Sequence, residues 1–355
     1  MQTKENKVPM ESAVVHKVRF EPVGVEMEVI EGETVLDAAF RQGITLMHGC
    51  KEGQCASCKA LLIDGDIELK KYSTFALSEG ERDTDHILMC CTLAYSDITI
   101  ELLSYDEDLT HRSIAVKEFG ATLAASTELT HDIRLLTLSI DAPLRFWAGQ
   151  YVDITIPDTG ITRSFSMANA PVNGTQLEFI IKKYPDGAFS SLLDGGLPVG
   201  TPLLVKGPYG TCFRREDRPG PMLLIGGGSG MSPLWAILQD HINSGEQRTV
   251  RFFYGARTQR DLFYLEQFAA LEKTLPDFRF IPALSHADDD ASWAGERGFV
   301  HEVLQRTLHA DLFAGAIDAY SCGPTPMIDA VLEVLQGAGV EPEHIHLDKF
   351  TPATR

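Results

Sequence analysis

The sequence predicts a multidomain α+β and α/β protein with three modules in series: a small mixed unit, an antiparallel β-barrel and a doubly wound parallel sheet. Three observations predict it. Residues 14–103 set strands, one short helix and a cysteine-rich loop close together. Residues 113–215 hold many short β runs separated by turn residues, the rhythm of an antiparallel barrel. From residue 221 onward apolar strands alternate with helical patterns, as a parallel sheet built from βαβ units requires. A chain of 355 residues that is 44% hydrophobic has enough apolar side chains for two or three separate cores.

The first module follows a polar segment, residues 1–13, that reads as a flexible tail. In 14–20 and 25–29 apolar and charged residues alternate as in strands, and Pro22-Val23-Gly24 turns one into the other. Thr34 is placed to cap a helix that runs to Phe40 and stops at Gly43. After the cysteine loop, 59–63 reads as a strand with Asp64-Gly65 as a hairpin turn. This order suits a β-grasp domain over 14–105. An acidic linker, 105–110, precedes the barrel, whose expected strands are 113–123, 133–140, 151–156, 176–183 and 202–205. A second break, 214–221, precedes the last module, 221–355. Its strands are expected at 222–225, 249–254, 278–282, 316–321 and 344–347, with a helix over 233–242. Asp288-Asp289-Asp290 reads as a solvated loop.

Charge narrows the partners. With 31 basic and 50 acidic residues the net charge is −19, which excludes nucleic acid and anionic membrane as natural partners. The first module, with 16 acidic and 8 basic residues over 14–103, offers an acidic docking face. No run approaches the roughly 18 apolar residues of a membrane span. The N-terminus carries no apolar signal-like core. Seven cysteines, an odd number, fit a reducing cytoplasm better than a disulfide framework.

Four of those cysteines carry chemistry. Cys50, Cys55, Cys58 and Cys90 are separated by four, two and 31 residues, the plant-type spacing for a 2Fe–2S cluster. Gly49 and Gly53 let the loop curl so that its amides face sulfur. A zinc site would favour a two-residue cysteine pair on both sides, and only one such pair exists. Cys91 competes with Cys90 as fourth ligand; Leu88-Met89-Cys90-Cys91-Thr92 favours Cys90.

Two further segments suggest nucleotides. In Arg163-Ser164-Phe165-Ser166 the arginine can pair with a pyrophosphate. Phe165, two residues on and on the same strand face, can lie against a flavin ring. Ser166 can bring a hydroxyl to the ring nitrogen. Gly187-Ala188-Phe189-Ser190 offers amides and a hydroxyl to a second phosphate at the start of a short helix. The loop Gly226-Gly227-Gly228-Ser229-Gly230-Met231-Ser232-Pro233 follows an apolar strand and opens a helix, the context in which glycines admit a pyrophosphate. Downstream, Asp261 can hold a ribose hydroxyl and Arg257 a 2′-phosphate; the balance favours NADH. Cys322-Gly323-Pro324 ends a strand at the same edge, where the cysteine is either a buried small residue or a functional thiol. Cys212 has no motif and reads as core. Asp348 and Phe350 follow the last strand.

Together these segments resemble the reductase component of soluble multicomponent di-iron monooxygenases of the methane and propane type, within the ferredoxin–NADP⁺ reductase superfamily. The resemblance runs from about residue 14 to the C-terminus. It implies cluster ligands at Cys50, Cys55, Cys58 and Cys90, and FAD held by residues 163–166 and 187–190. Phe165 stands where the family usually has tyrosine. It implies NADH on residues 226–233 and Cys322–Pro324, with Cys322 near the nicotinamide carbon that yields hydride. Asp348, where glutamate is commoner, and Phe350 are implied near the flavin. Ser166, Cys322, Asp348 and Phe350 thus form the expected catalytic set. Electrons are expected to run from NADH through FAD and the cluster to a di-iron hydroxylase of short-chain alkanes. A Rieske dioxygenase as partner, or a non-enzymatic redox-sensing module, are the alternatives.

Overall fold

The computed structural model describes residues 14–106, 109, 114–172, 174–185, 187–194, 197–216, 218–287, 292–308 and 317–350. The expected tail 1–13, the triad Asp288–Asp290 and the first residues of the strands expected at 113 and 316 lie outside these. The chain forms two compact units, 1–115 and 116–355.

In the first unit β1 (Val15–Glu21) pairs antiparallel with β2 (Val25–Ile30) through the turn at Gly24. The helix Val35–Gln42 follows, because Thr34 accepts the Asp37 amide and Gly43 closes the far end in a left-handed conformation. Its buried face, Val35, Leu36, Ala38, Ala39 and Phe40, belongs with Val18, Phe20 and Ile100 to the buried core of this unit. Burying one leucine such as Leu36 contributes about 1.5–3 kcal/mol. Next come β3 (Lys59–Asp64) and β4 (Ile67–Leu69), the helical turn Glu79–Arg82, then β5 (His86–Leu88), β6 (Thr92–Ala94) and β7 (Ile98–Leu102). The main sheet has the order β2-β1-β7-β3-β5. The expected hairpin at Asp64-Gly65 is corrected: β4 does not return along β3 but leaves to pair with β6 in a separate two-stranded sheet. Gly65 is needed for a close approach instead, since a Cβ there would stand 2.5 Å from the Asp97 carbonyl oxygen.

The second unit opens with a six-stranded antiparallel barrel of β8 (Lys117–Glu128), β9 (Ile133–Ile140), β10 (Tyr151–Ile156), β11 (Ile161–Ser166), β12 (Gln176–Lys182) and β13 (Pro202–Tyr209). Their order is β11-β10-β13-β8-β9-β12, and a bridge between Met167 and Phe179 ties the ends together. Inward-facing Leu138, Val152, Ile154, Leu177, Phe179 and Val205 fill it. A parallel sheet follows: β14 (Met222–Gly227), β15 (Val250–Ala256), β16 (Phe278–Leu284), β17 (Glu296–Arg297), β18 (Asp318–Pro324) and β19 (Ile345–Phe350). Its order is β17-β16-β15-β14-β18-β19. Every residue of β14 is buried, as a central parallel strand covered on both faces must be. The chain runs outward from β14 to one side and later places β18 on the other. The switch point therefore falls between the C-terminal ends of β14 and β18.

Barrel and sheet share packing. Ala168 and Ile180 of the barrel sit in one apolar cluster with Leu224, Leu234 and Ile237. The Ser232 hydroxyl donates to the Ser166 carbonyl at 2.6 Å and accepts the Ile180 amide at 3.2 Å. Among the described residues no helix is long and apolar enough to cross a membrane.

Candidate functional site

In the first unit the cysteine loop curls because three of its residues take left-handed backbone angles: Lys51 (φ 62°), Gly53 (φ 67°) and Ala56 (φ 61°). Such angles are unfavourable for the two non-glycine residues, so the surrounding loop must enforce them. Gly53 has no substitute, because a Cβ there would lie 2.7 Å from the Cys91 sulfur and 2.8 Å from Tyr72 Cβ. Backbone amides aim at sulfur, among them Cys50 N at Cys55 Sγ (3.2 Å), and Glu52 N and Gln54 N at Cys50 Sγ (3.4 and 3.2 Å). The thiols meet in two pairs. Cys50 hydrogen-bonds Cys55, which draws the Cys55 thiol down to about 5, and Cys58 hydrogen-bonds Cys90. Two pairs of cysteine sulfurs, the first with amides directed at it, fit a group that offers two irons and takes four cysteines. Cys91 is turned differently. Its sulfur lies 3.7 Å from Cys90 Sγ and donates to the Lys71 carbonyl at 3.7 Å.

In the second unit β11 carries Arg163 and Phe165 on one face, both half-buried. The Arg163 guanidinium donates to the Thr162 carbonyl at 2.7 Å, and Phe165 packs on buried Phe189 with ring centroids 4.8 Å apart. This contact joins the two segments read separately as flavin-binding. Ser164 is exposed and donates to Asp153 Oδ1 at 2.6 Å, on the face away from Arg163 and Phe165. Ser190 also differs from expectation. Its buried hydroxyl accepts the Tyr184 amide (3.1 Å) and donates to the Tyr184 carbonyl (3.0 Å), closing its own turn. A Cβ on Gly187 would come 2.3 Å from that oxygen, so Gly187 serves this closure. The helix expected there is a 3-10 segment, Ser190–Asp194. The half-buried guanidinium and the aromatic pair beside it fit a flavin nucleotide.

The glycine loop lies at the switch point. Gly227 ends β14, Gly228–Gly230 form a 3-10 turn, and the helix Met231–Ser244 begins with Pro233 buried in its first turn. The glycines divide by task. Gly230 lets the loop touch the next strand, since a Cβ would stand 1.9 Å from the Cys322 carbonyl oxygen. Gly228 has φ +57° and meets only the Lys182 side chain at 3.7 Å; its carbonyl accepts the Tyr254 hydroxyl at 2.9 Å. Gly226 packs on Leu234 and Gly227 on Met327. A loop with this open backbone ahead of a 14-residue helix fits a pyrophosphate. Asp261 is largely committed elsewhere: its Oδ2 accepts both the amide and the hydroxyl of Thr258 at 2.8 Å, while Oδ1 lies 3.7 Å from His131. Arg257 is exposed and makes no ion pair among the described residues.

At the same edge, segments far apart in sequence converge. Cys322 lies between Gly226 of β14 and Asp348 of β19 in register. Ser166, from the end of the barrel strand, donates to Asp348 Oδ2 at 3.1 Å. Asp348 retains some exposed surface, yet desolvation raises its carboxyl to about 6, against a smaller lowering by the Ser166 hydrogen bond. Burial first, and the neighbouring Cys212 thiol next, push the Cys322 thiol well above its usual range. Gly323 continues the loop at φ +150°, and Pro324 stands opposite half-buried Phe350 in register. Cys212 is core, as its lack of a motif implies, and its sulfur lies 3.8 Å from that of Cys322. Only the tertiary fold joins them, and no local pattern around Cys212 signals it.

Three family descriptions match successive parts of the chain: a 2Fe-2S iron-sulfur cluster binding domain over 18–95, an oxidoreductase FAD-binding domain over 120–213 and an oxidoreductase NAD-binding domain over 224–333. The chain is 44% identical over 341 residues to the reductase component of propane 2-monooxygenase from Rhodococcus jostii (strain RHA1), covering 95% of this chain and 91% of that one. Among solved structures it resembles the Amycolatopsis cytochrome P450 reductase GcoB, with a TM-score of 0.85 at 29% identity over 96% of this chain and 100% of that one. It also resembles a ferredoxin reductase in carbazole 1,9a-dioxygenase, with a TM-score of 0.76 at 30% identity over 96% of this chain and 100% of that one.

Proposed function

The chain belongs to the reductase components of multicomponent monooxygenases, oxidoreductases with 2Fe–2S, FAD and NAD modules, and from this we propose that it feeds electrons from NADH to a di-iron hydroxylase acting on short-chain alkanes. When bound, FAD would supply acceptance of an electron pair from NADH, and a 2Fe–2S centre would supply one-electron transfer. The protein contributes position. Cys50, Cys55, Cys58 and Cys90 hold the cluster, with Cys91 outside the ligand set because its thiol is turned to the Lys71 carbonyl. Arg163, Phe165 and Phe189 seat the flavin, while residues 226–230 with Pro233 and the 322–324 turn seat the nicotinamide nucleotide. The Ser164 hydroxyl is engaged by Asp153 of β10 and the Ser190 hydroxyl by the Tyr184 backbone, so both support the flavin seat from within the protein. Asp261 shapes the adenosine end by capping its own turn.

The observation that carries this reading is the contact between Ser166 and Asp348 beside Cys322, at the switch point of the sheet. A hydroxyl, a carboxyl held partly neutral and a thiol converge where the barrel meets the nucleotide loop. Such groups orient a hydride donor and acceptor and need perform no acid–base step. The acidic surface of residues 14–105 would dock a basic face of the hydroxylase.

The test is reconstitution. The purified chain, mixed with a di-iron propane hydroxylase and its coupling components, should support NADH-dependent propane oxidation, with a rate that falls as salt rises. Flavin reduction by NADH without turnover in that mixture, but with turnover on a Rieske oxygenase, would move the chain to the second partner class. That class is favoured by the solved dioxygenase ferredoxin reductase of the same architecture.

A further inference from the structure

Cys212 lies in the connector that leaves the barrel, and that connector is clamped. A Cβ on Gly149, at φ +110°, would stand 2.4 Å from the Cys212 carbonyl oxygen, so glycine there lets the two backbones touch. Three residues on, the Arg215 amide donates to the Tyr320 hydroxyl of β18 at 2.8 Å. Between these fixed points the Cys212 sulfur reaches the Cys322 sulfur at 3.8 Å. The side chains are 3% and 0% exposed. Either thiol can donate across that contact, and with both sulfurs buried each is the other's partner.

We propose that Cys212 is a positioning residue for hydride transfer, hydrogen-bonded to the Cys322 thiol so that this thiol keeps one orientation. The proposal rests on the reading that Cys322 borders the nicotinamide. Positive charge develops on a dihydronicotinamide that gives up hydride. A sulfur lone pair favours that charge and an S–H proton opposes it. A partner that takes the S–H therefore leaves the favourable face of the sulfur for the reaction. Burial holds the Cys322 thiol protonated, which makes it a poor nucleophile. The pair thus acts as a fixed hydrogen bond and not as a dithiol–disulfide switch.

Cys212→Ala and Cys212→Ser in the FAD-loaded full chain test this. Anaerobic stopped-flow reduction at saturating NADH should slow about fivefold in Cys212→Ala, the worth of one modest hydrogen bond. The NADH dissociation constant should move by no more than about twofold. Without any nucleotide, Raman spectra should show the Cys322 S–H stretch shifting to its unbonded position in Cys212→Ala, while Cys212→Ser keeps both the bonded band and most of the rate. A wild-type rate with an unshifted band in Cys212→Ala overturns the proposal. So does an equal loss in both variants that follows their melting temperatures, because that marks simple packing. If NADH fails to reduce the flavin of the unmutated protein, the function itself is misread, which is a separate result.

Discussion

The cysteine loop and the edge where Ser166, Cys322 and Asp348 meet are built in opposite ways. Three of the four proposed cluster ligands lie within nine residues, Cys50 to Cys58, and the loop's shape is set by local backbone angles and amides aimed at sulfur. The edge proposed for hydride transfer takes Ser166 from a barrel strand, Cys212 from a connector, and Cys322 and Asp348 from neighbouring parallel strands. The Ser166–Asp348 bond alone spans 182 residues of sequence. A site that wraps one bound group can be encoded as a spacing. A site that aligns two bound groups needs walls from two modules, so its parts are scattered.

The largest effect that would break this contrast is expected in the loop. Cys90→Ser should abolish the cluster, measured as lost iron and lost visible absorption, whereas Cys91→Ser should keep full iron content. Cluster loss in Cys91→Ser with retention in Cys90→Ser would reverse the ligand assignment and show that even local spacing had misled. Next comes Gly230→Ala. A Cβ 1.9 Å from the Cys322 carbonyl forces apart the loop and β18, so NADH affinity should fall by more than tenfold and the melting temperature should drop. Unchanged NADH binding would mean that the loop gives way freely and that its glycines do not fix the edge.

The same contrast between local and scattered encoding governs what the sequence reveals. The three rhythms of the chain announced the barrel and parallel sheet because alternation and βαβ order are local signals. Helix Val35–Gln42 was readable at both ends from Thr34 and Gly43, whose capping roles depend on near neighbours alone. The Asp64-Gly65 turn looks like a hairpin in sequence but is not one, because partner choice in a sheet is non-local: β3 pairs with β5 and β7, and β4 with β6. Ser190 is ambiguous in sequence for a related reason. A hydroxyl in a glycine turn suits a phosphate or its own backbone equally well in sequence, and here the Tyr184 backbone takes it. Cys212 was silent because nothing beside it in the chain touches what it touches.

A smaller effect is expected at Ser166. Removing its hydroxyl deletes the donor to Asp348, so Ser166→Ala should slow NADH-driven flavin reduction by roughly tenfold, with little change in NADH affinity. A wild-type rate would sink the part given to Ser166, although the surrounding fold would be untouched.

The smallest expected effect is in pH dependence, and it isolates Asp348. Desolvation lifts its carboxyl from 3.8 to about 6 in the folded protein. Between about pH 4 and pH 6 the folded state therefore holds a proton that the unfolded state has released. Stability must fall as pH rises through that window, and above it the burial of a charged carboxylate is fully felt. This is the reverse of a salt-bridged aspartate, whose stabilisation grows with pH. Asp348→Asn has no such charge, so its melting temperature relative to the unmutated protein should climb between pH 4 and 6 and then level off. Ser166 and the Cys322 thiol face the group and stay neutral across this range, so the step belongs to Asp348. A melting difference that is flat, or that falls with pH, would mean that solvent reaches the carboxylate. The proposed hydride edge would then lack the desolvation expected of walls assembled from two modules, and its contrast with the contiguous cysteine loop would weaken at this residue.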